Sequence, residues 1–285
     1  MYISLDCIPC ILNSLLRLLK KDVIPQEQHE EAMRLLLSHL SQANYHQSPV
    51  SLGREMHRMI RNLLNNPDPY LAVKNESNKM MLEQIDHFYA SIEESKDPFQ
   101  TALRLAIAGN VIDYGPQHQM DVWEIIDRVL QEPLAVDDSE LLRSELSESK
   151  QLLYVGDNCG EIVMDKLFLE EIAHPNAYFA VRGQPAINDA TLHDALEVGI
   201  NKLAQIITTG DDAPGAVWET TSPEFKNIFL ESDVIISKGQ GNLEGLIDVN
   251  HNIYYLFVVK CDLIADRVGA KTGDFIVKHK VSIIK

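Results

Sequence analysis

Short apolar runs alternate with helix-like segments through the second half of the chain, which predicts an α/β fold on a mainly parallel sheet with crossover helices. A helix-patterned stretch without convincing period-2 strands precedes it. The length of 285 residues and 45% apolar content suit one large core, or a main domain carrying a smaller one. The pattern changes at the polar residues 144–150, so a helical N-terminal subdomain is expected over residues 1–145 and an α/β domain over residues 146–285.

In the first part, Ile11, Leu12, Leu15, Leu16, Leu18 and Leu19 form the first apolar helix face. Breaks fall at Pro25, at Asn65-Asn66-Pro67-Asp68-Pro69, at Asp97-Pro98 and at Gly115-Pro116, all of them turn or helix-start chemistry. They divide the region into five to seven helical segments. In the second part, runs at residues 152–155, 177–181, 205–207, 234–236 and 254–259 read as buried strands, and a run at 275–284 as a further strand at the sheet edge.

The 42 acidic and 25 basic side chains give a formal charge of −17, a field that repels nucleic acid and anionic membranes. An enzyme of this composition acting on phosphates needs local positive charge from a metal or from converging cations. The N-terminus lacks a basic segment followed by an apolar one, and no run of about 18 apolar residues occurs, so a cytoplasmic location is expected. Cys7, Cys10, Cys159 and Cys261 are too few for a disulfide scaffold and fit a reducing compartment. The Cys7-Ile8-Pro9-Cys10 pair reads as half a zinc site, a redox pair or simple packing at a helix start.

Ligands of open α/β sheets sit beyond the carboxyl ends of the strands. After the first strand comes Gly156-Asp157-Asn158-Cys159-Gly160-Glu161, where Asp157 and Asn158 offer hard oxygen donors and the next helix offers free N–H groups. Arg182-Gly183 follows the second strand and leads to Asn188-Asp189, expected to open a helix. Thr208-Thr209-Gly210-Asp211-Asp212 follows the third, Lys238-Gly239-Gln240-Gly241-Asn242-Leu243-Glu244 the fourth, and Lys260-Cys261 the fifth. Two carboxylates with asparagine oxygens can hold a magnesium- or manganese-class ion while Arg182, Lys238 and Lys260 converge on a phosphate beside Asn188. A single Asp or Asn after a strand is a cap rather than a ligand at about three to one. Two acid-amide pairs on one sheet rim turn those odds toward a site. The Gly239-Gln240-Gly241 turn departs from a dinucleotide fingerprint at Glu244, and no metalloprotease or nucleophile-elbow spacing occurs.

At these residues the sequence resembles the damage-control phosphatase family, long catalogued as domain of unknown function eighty-nine, in its archaeal and bacterial branch with a CxxC pair. The resemblance runs over nearly the whole chain, on Cys7-Ile8-Pro9-Cys10, Asn66-Pro67-Asp68-Pro69-Tyr70 with Lys74, the segment from Ala108 to Gly115, the loop from Gly156 to Glu161, Arg182-Gly183 with Asn188-Asp189, the turn from Lys238 to Glu244, and Lys260. It implies a helical N-terminal part on a Rossmann-like three-layer α/β/α domain, and hydrolysis of phosphate esters of small metabolites, such as sugar phosphates or damaged cofactors, with a divalent manganese, magnesium, cobalt or nickel ion. It implies metal ligation by Asp157, Asn158 and Asp189, phosphate contact by Lys260, and pocket-wall positions for Asn110 and Asp113.

On this reading the metal polarises a phosphoryl oxygen, Lys260 offsets developing charge and water is the final acceptor. Spacing leaves open whether water attacks directly or an aspartyl-phosphate forms first. Two other readings compete: a nucleotide- or S-adenosylmethionine-dependent transferase on the same sheet, and a non-enzymatic, metal-responsive binding module. Substrate identity and oligomeric state are not encoded in these patterns.

Overall fold

The computed structural model describes residues 1–20, 23–110 and 122–280. Eight α-helices lie before residue 150 among these residues: α1 (Cys7–Lys20), α2 (His29–Gln42), α3 (Pro49–Leu64), α4 (Leu71–Glu83), α5 (Ile85–Glu93), α6 (Pro98–Gly109), α7 (Val122–Gln131) and α8 (Ser139–Glu148). Their boundaries follow local chemistry. Ser48 caps α3 ahead of Pro49, Asn65 ends it in the left-handed region at φ 46°, and Asp97 caps α6 ahead of Pro98 by accepting from the Gln100 N–H. Gly115-Pro116 lies outside the described residues.

Five strands run parallel as expected: β2 (Leu152–Val155), β3 (Ala177–Val181), β4 (Gln205–Thr208), β5 (Val234–Lys238) and β6 (Ile253–Val258). Between and after them come α9 (Glu161–Ile172), α10 (Leu192–Val198), α11 (Pro223–Glu231), α12 (Gly239–Leu246) and α13 (Asp262–Val268). The last apolar run gives β7 (Phe275–His279), antiparallel to β6. It is not the edge. A two-residue strand, β1 (Val136–Asp137), pairs outside it, and two residues are too few to show a period. The full order is β1-β7-β6-β5-β2-β3-β4.

The chain leaves β2 for β3 and β4 on one side, then returns to place β5 on the other, so the order reverses between β2 and β5. Loops leaving these neighbouring strands in opposite directions open a crevice at their carboxyl ends. Strand alternation feeds two cores. Leu152 and Tyr154 pack with Phe179, Ile236 and residues of α4 to α10, whereas Leu153 and Val155 pack with Ile235, Tyr255 and residues of α11 to α13. Helices α1 to α3 share a separate cluster built around Leu15, Leu36 and Met56. No helix of the described residues is long and apolar enough to cross a membrane.

Helix α6 is buried along most of its length, including Leu103, Leu105, Ala106 and Ile107, and lies against α9. The contact is locked by Phe168 of α9, whose ring meets Phe99 of α6 edge-on at 5.3 Å and Tyr154 of β2 at 6.5 Å. Phe168→Ala is expected to destabilise the chain by about 3–5 kcal/mol through the cavity it leaves. Urea unfolding should show this as a lower midpoint with an unchanged slope.

Candidate active site

Asp157 stands two residues beyond the end of β2, in the crevice where the strand order reverses. Its Oδ1 accepts from Arg182 Nη2 at 3.1 Å, and its Oδ2 from Asn158 Nδ2 at 3.0 Å and Asn110 Nδ2 at 3.2 Å. Asp189 reaches the same point through an isolated antiparallel bridge with Asn158, reinforced by the Cys159 N–H to Asn188 carbonyl bond at 2.8 Å and the Ala190 N–H to Asp157 carbonyl bond at 2.8 Å. Arg182 Nε donates to Asp189 Oδ2, so one guanidinium spans both carboxylates. Asn188 lines the turn half-buried, beside Ile187 at φ 49°. That left-handed conformation in a β-branched residue stores strain of about 1–3 kcal/mol.

Helix α10 starts at Leu192, later than Asn188-Asp189 had led one to expect. Thr191 and Asp194 form a capping box there, and this frees Asn188-Asp189 to form the turn instead.

Glu161 and Asp165 are site residues that the sequence reading missed. Both are fully buried on α9. Glu161 accepts from Asn110 Nδ2, from Asn158 Nδ2 at 3.0 Å and from Lys238 Nζ at 2.7 Å. Asp165 accepts from Lys238 Nζ and from the Tyr154 hydroxyl at 2.7 Å. The available signal was spacing, since both acids stand one turn apart directly after the Gly156-to-Gly160 loop. The expected phosphate contact by Lys238 does not match this geometry. Its ammonium is fully buried, and its three N–H groups go to Glu161, Asp165 and the Ala106 carbonyl. Lys260, by contrast, is exposed at the rim, and its charge acts on both Asp157 and Asp189. Asn110 donates to Asp157 and Glu161, while Asp113 lies outside the described residues.

The Gly-rich turn after β5 serves this site. Gly239 has φ 75°, and a Cβ there would lie 2.0 Å from Asp157 Oδ2. Asn242 Nδ2 ties the ends of β2 and β5 together through the Gly156 and Lys238 carbonyls at 3.1 and 2.6 Å. The Asp68, Lys74 and Tyr70 segment supports the loop from behind. Lys74 Nζ pairs with Asp68 at 3.0 Å and Asp194 at 3.1 Å, and Asn78 Oδ1 accepts the Gly160 N–H at 2.7 Å.

Four buried carboxylates (Asp157, Glu161, Asp165, Asp189) face two buried cations (Arg182, Lys238), a net −2 when all are ionised. Burial raises Asp157 well above the usual carboxylate range, with Asp189 and Glu161 adding to the effect. Asp189 is raised mainly by burial against the pull of Arg182. A divalent cation matches that deficit, and the donors are hard oxygens. His193, Asp194 and Glu197 also bring donor atoms within 4.8 Å of one another on α10. There, however, Asp194 Oδ2 accepts from Lys74 and Thr191, and the nearby ammonium opposes a cation.

Residues 3–276 match the family model described as the damage-control phosphatase ARMT1-like domain. The chain belongs to the damage-control phosphatase family. Family relatives include a damage-control phosphatase of Pyrococcus horikoshii, 31% identical over 96% of each chain, and one of Archaeoglobus fulgidus, 33% identical over 87% of this chain and 88% of the relative. An uncharacterised protein of Methanocaldococcus jannaschii is 35% identical over 79% of this chain and 78% of its own. The crystal structure of a P. horikoshii protein of the domain-of-unknown-function-eighty-nine family superposes with a TM-score of 0.89 at 30% identity, covering 98% of this chain and 99% of that one. Membership decides between the phosphatase and transferase readings, and the mostly parallel sheet is the family fold.

The electrostatics of this family site have a consequence for stability. Burial pushes Asp165 up to about 7 despite Lys238, from an ordinary value of 3.8. The folded chain therefore keeps a proton that the unfolded chain releases as pH rises from 3.8 towards about 7. The stability this proton contributes is full below that window and is lost through it, and Asp157 and Asp189 act in the same direction. Urea unfolding of the metal-free protein should thus show falling stability from about pH 4 to about pH 7. Asp165→Asn should make that fall shallower.

Proposed function

We propose that the chain is a divalent-metal-dependent phosphatase that hydrolyses phosphate monoesters of small metabolites, including damaged ones. The observation that carries this reading is the uncompensated −2 of hard-oxygen donors at the sheet's switch point, with an exposed lysine at its rim, in a chain of this family. Asp157, Asn158 and Asp189 would hold a manganese-, magnesium-, cobalt- or nickel-class ion. When bound, such an ion supplies Lewis-acid polarisation of a phosphoryl oxygen and charge neutralisation.

The chain's own residues do the rest. Lys260 offers an exposed ammonium to the phosphoryl oxygens, where charge develops during transfer to water. Arg182 keeps Nη1 without a hydrogen-bond partner and buried, a donor available to an anion in the crevice. Its other nitrogens hold Asp157 and Asp189 at a fixed separation. Asn110 and Lys238 orient Glu161, which in turn fixes the Asn158 amide, so both are positioning residues. The half-buried Asn188 lines the substrate side.

Asp157→Ala should lower metal-dependent phosphate release from an aryl phosphate by at least about a hundredfold, and Lys260→Ala by about tenfold to a hundredfold, chiefly through kcat. Far-UV circular dichroism should be unchanged in both. Full activity of Asp157→Ala, or activity indifferent to a chelator, would overturn the assignment. Gly239→Ala forces a methyl group onto Asp157 Oδ2 and should cost about a hundredfold in kcat/KM by displacing that carboxylate. Steady-state assays over a range of metal concentrations check it.

A further inference from the structure

The excursion that leads from β3 to Asp189 is closed at its base and held at its tip by different parts of the chain. At the base, the Arg182 N–H donates to the Ala190 carbonyl at 2.9 Å. The tip leans on the helical part. Arg61 of α3 donates through Nη1 to the Pro185 carbonyl, and the half-buried Ile187 packs against the cluster shared by α1 to α3. At this second anchor Ile187 takes φ 49°, and the Asp189 N–H then returns to the Ala186 carbonyl at 2.9 Å. A β-branched residue keeps a left-handed backbone only where its surroundings over-determine it.

Arg61 belongs to a row. Arg54, Arg58 and Arg61 recur at intervals of four and three, so they share one face of α3. They meet Asp211 and Asp212, the acidic pair that follows β4. Arg54 Nη1 lies 2.7 Å from Asp211 Oδ2, Arg58 forks onto Asp212 at 2.6 and 2.9 Å, and Arg61 Nη2 closes on Asp212 Oδ2. Asp211 is joined in turn to the excursion, because its carbonyl accepts the Gly183 N–H at 2.9 Å, and a Cβ on Gly183 would lie 2.7 Å from the Gly210 backbone. One face of α3 therefore grips two neighbouring rim loops. Of the three arginines, it is Arg61 that also bonds the turn ending in Asp189.

We propose that Arg61 and Ile187 are positioning residues for the cation site: by clamping the turn at residues 185–188, α3 holds Asp189 beside Asp157 and Asn158 in the arrangement that binds the ion. The inference rests on the reading of those three residues as its ligands. Arg182 orients the Asp189 carboxylate from the β3 side, whereas Arg61 limits where the turn that delivers it can go. The helical part thus contributes to cation affinity without supplying a ligand, as groups that orient metal ligands do. A general clamp between α3 and the sheet is a different matter, and Arg58 supplies the comparison, since it holds the same Asp212 while its bonds leave the turn untouched.

Two measurements on the full-length protein test this. Backbone hydrogen exchange of the peptide covering residues 183–191, read by mass spectrometry without metal, reports on the turn itself. Calorimetric titration with manganese(II) reports on affinity. Arg61→Ala should speed exchange in that peptide and weaken manganese binding by about tenfold to a hundredfold. Ile187→Ala, which keeps the left-handed strain and removes the anchor, should move both readouts in the same direction. Arg58→Ala should lower the urea midpoint as Arg61→Ala does, yet leave both readouts at the wild-type level. Unchanged exchange and affinity in Arg61→Ala and Ile187→Ala, or an equal loss in Arg58→Ala, rules the brace out. Should Asp189→Ala bind manganese as tightly as the wild type, the ligand reading itself is overturned and the inference with it. The metal-free exchange data tell that failure apart from a failure of the brace.

Discussion

Lys238 is the interaction on which the site is built. Its ammonium leaves the end of β5 and enters a fully buried space, where it meets Glu161, Asp165 and the Ala106 carbonyl. Burying carboxylates without a fixed cation is prohibitive, and even a well-made buried pair adds little net stability. The arrangement is therefore better understood as positional. Burial pulls the ammonium pKa down, but Asp165 and Glu161 outweigh that and leave it raised and charged. With the charge fixed, Glu161 is fixed. Glu161 then orients the amides of Asn110 and Asn158 around Asp157. Because one Lys238 bond goes to the backbone of α6, the helical part of the chain is keyed to the same point.

Arg182 plays the matching part from β3. It bridges Asp157 and Asp189, which would otherwise repel each other in a dry crevice. With all four carboxylates ionised, the two cations leave the cluster two charges short of neutrality, a deficit that a divalent ion would complement. Topology supplies the space. Loops leaving β2 and β5 diverge at the reversal of strand order, and Gly239 lets the second loop pass the Asp157 carboxylate without a Cβ in the way. Lys260 then stands exposed at the rim, with Gln240 Oε1 accepting its backbone N–H at 2.9 Å.

The strands of the sheet, the crossover helices and most helix boundaries were legible in the sequence, because apolar period, Gly and Pro breaks and capping residues act over a few neighbours. So was the gathering of Asp157, Asn158, Asp189 and Arg182 at one rim, since residues just after parallel strands share an end of the sheet by construction. The two-residue β1 left no pattern to read, and the capping box at Thr191 displaced the expected helix start by a few positions.

What the sequence could not determine was where each charge points. Lys238 and Lys260 both follow a strand, yet one is sealed inside and the other exposed. Glu161 and Asp165 look like ordinary acids in a helix's first turns, yet they are the partners that draw Lys238 inward. That choice depends on desolvation and on which opposite charges pack alongside, and only the tertiary structure sets those. Local sequence fixed the elements and the chemistry available at their ends; packing decided which of those groups face the crevice and which hold it together.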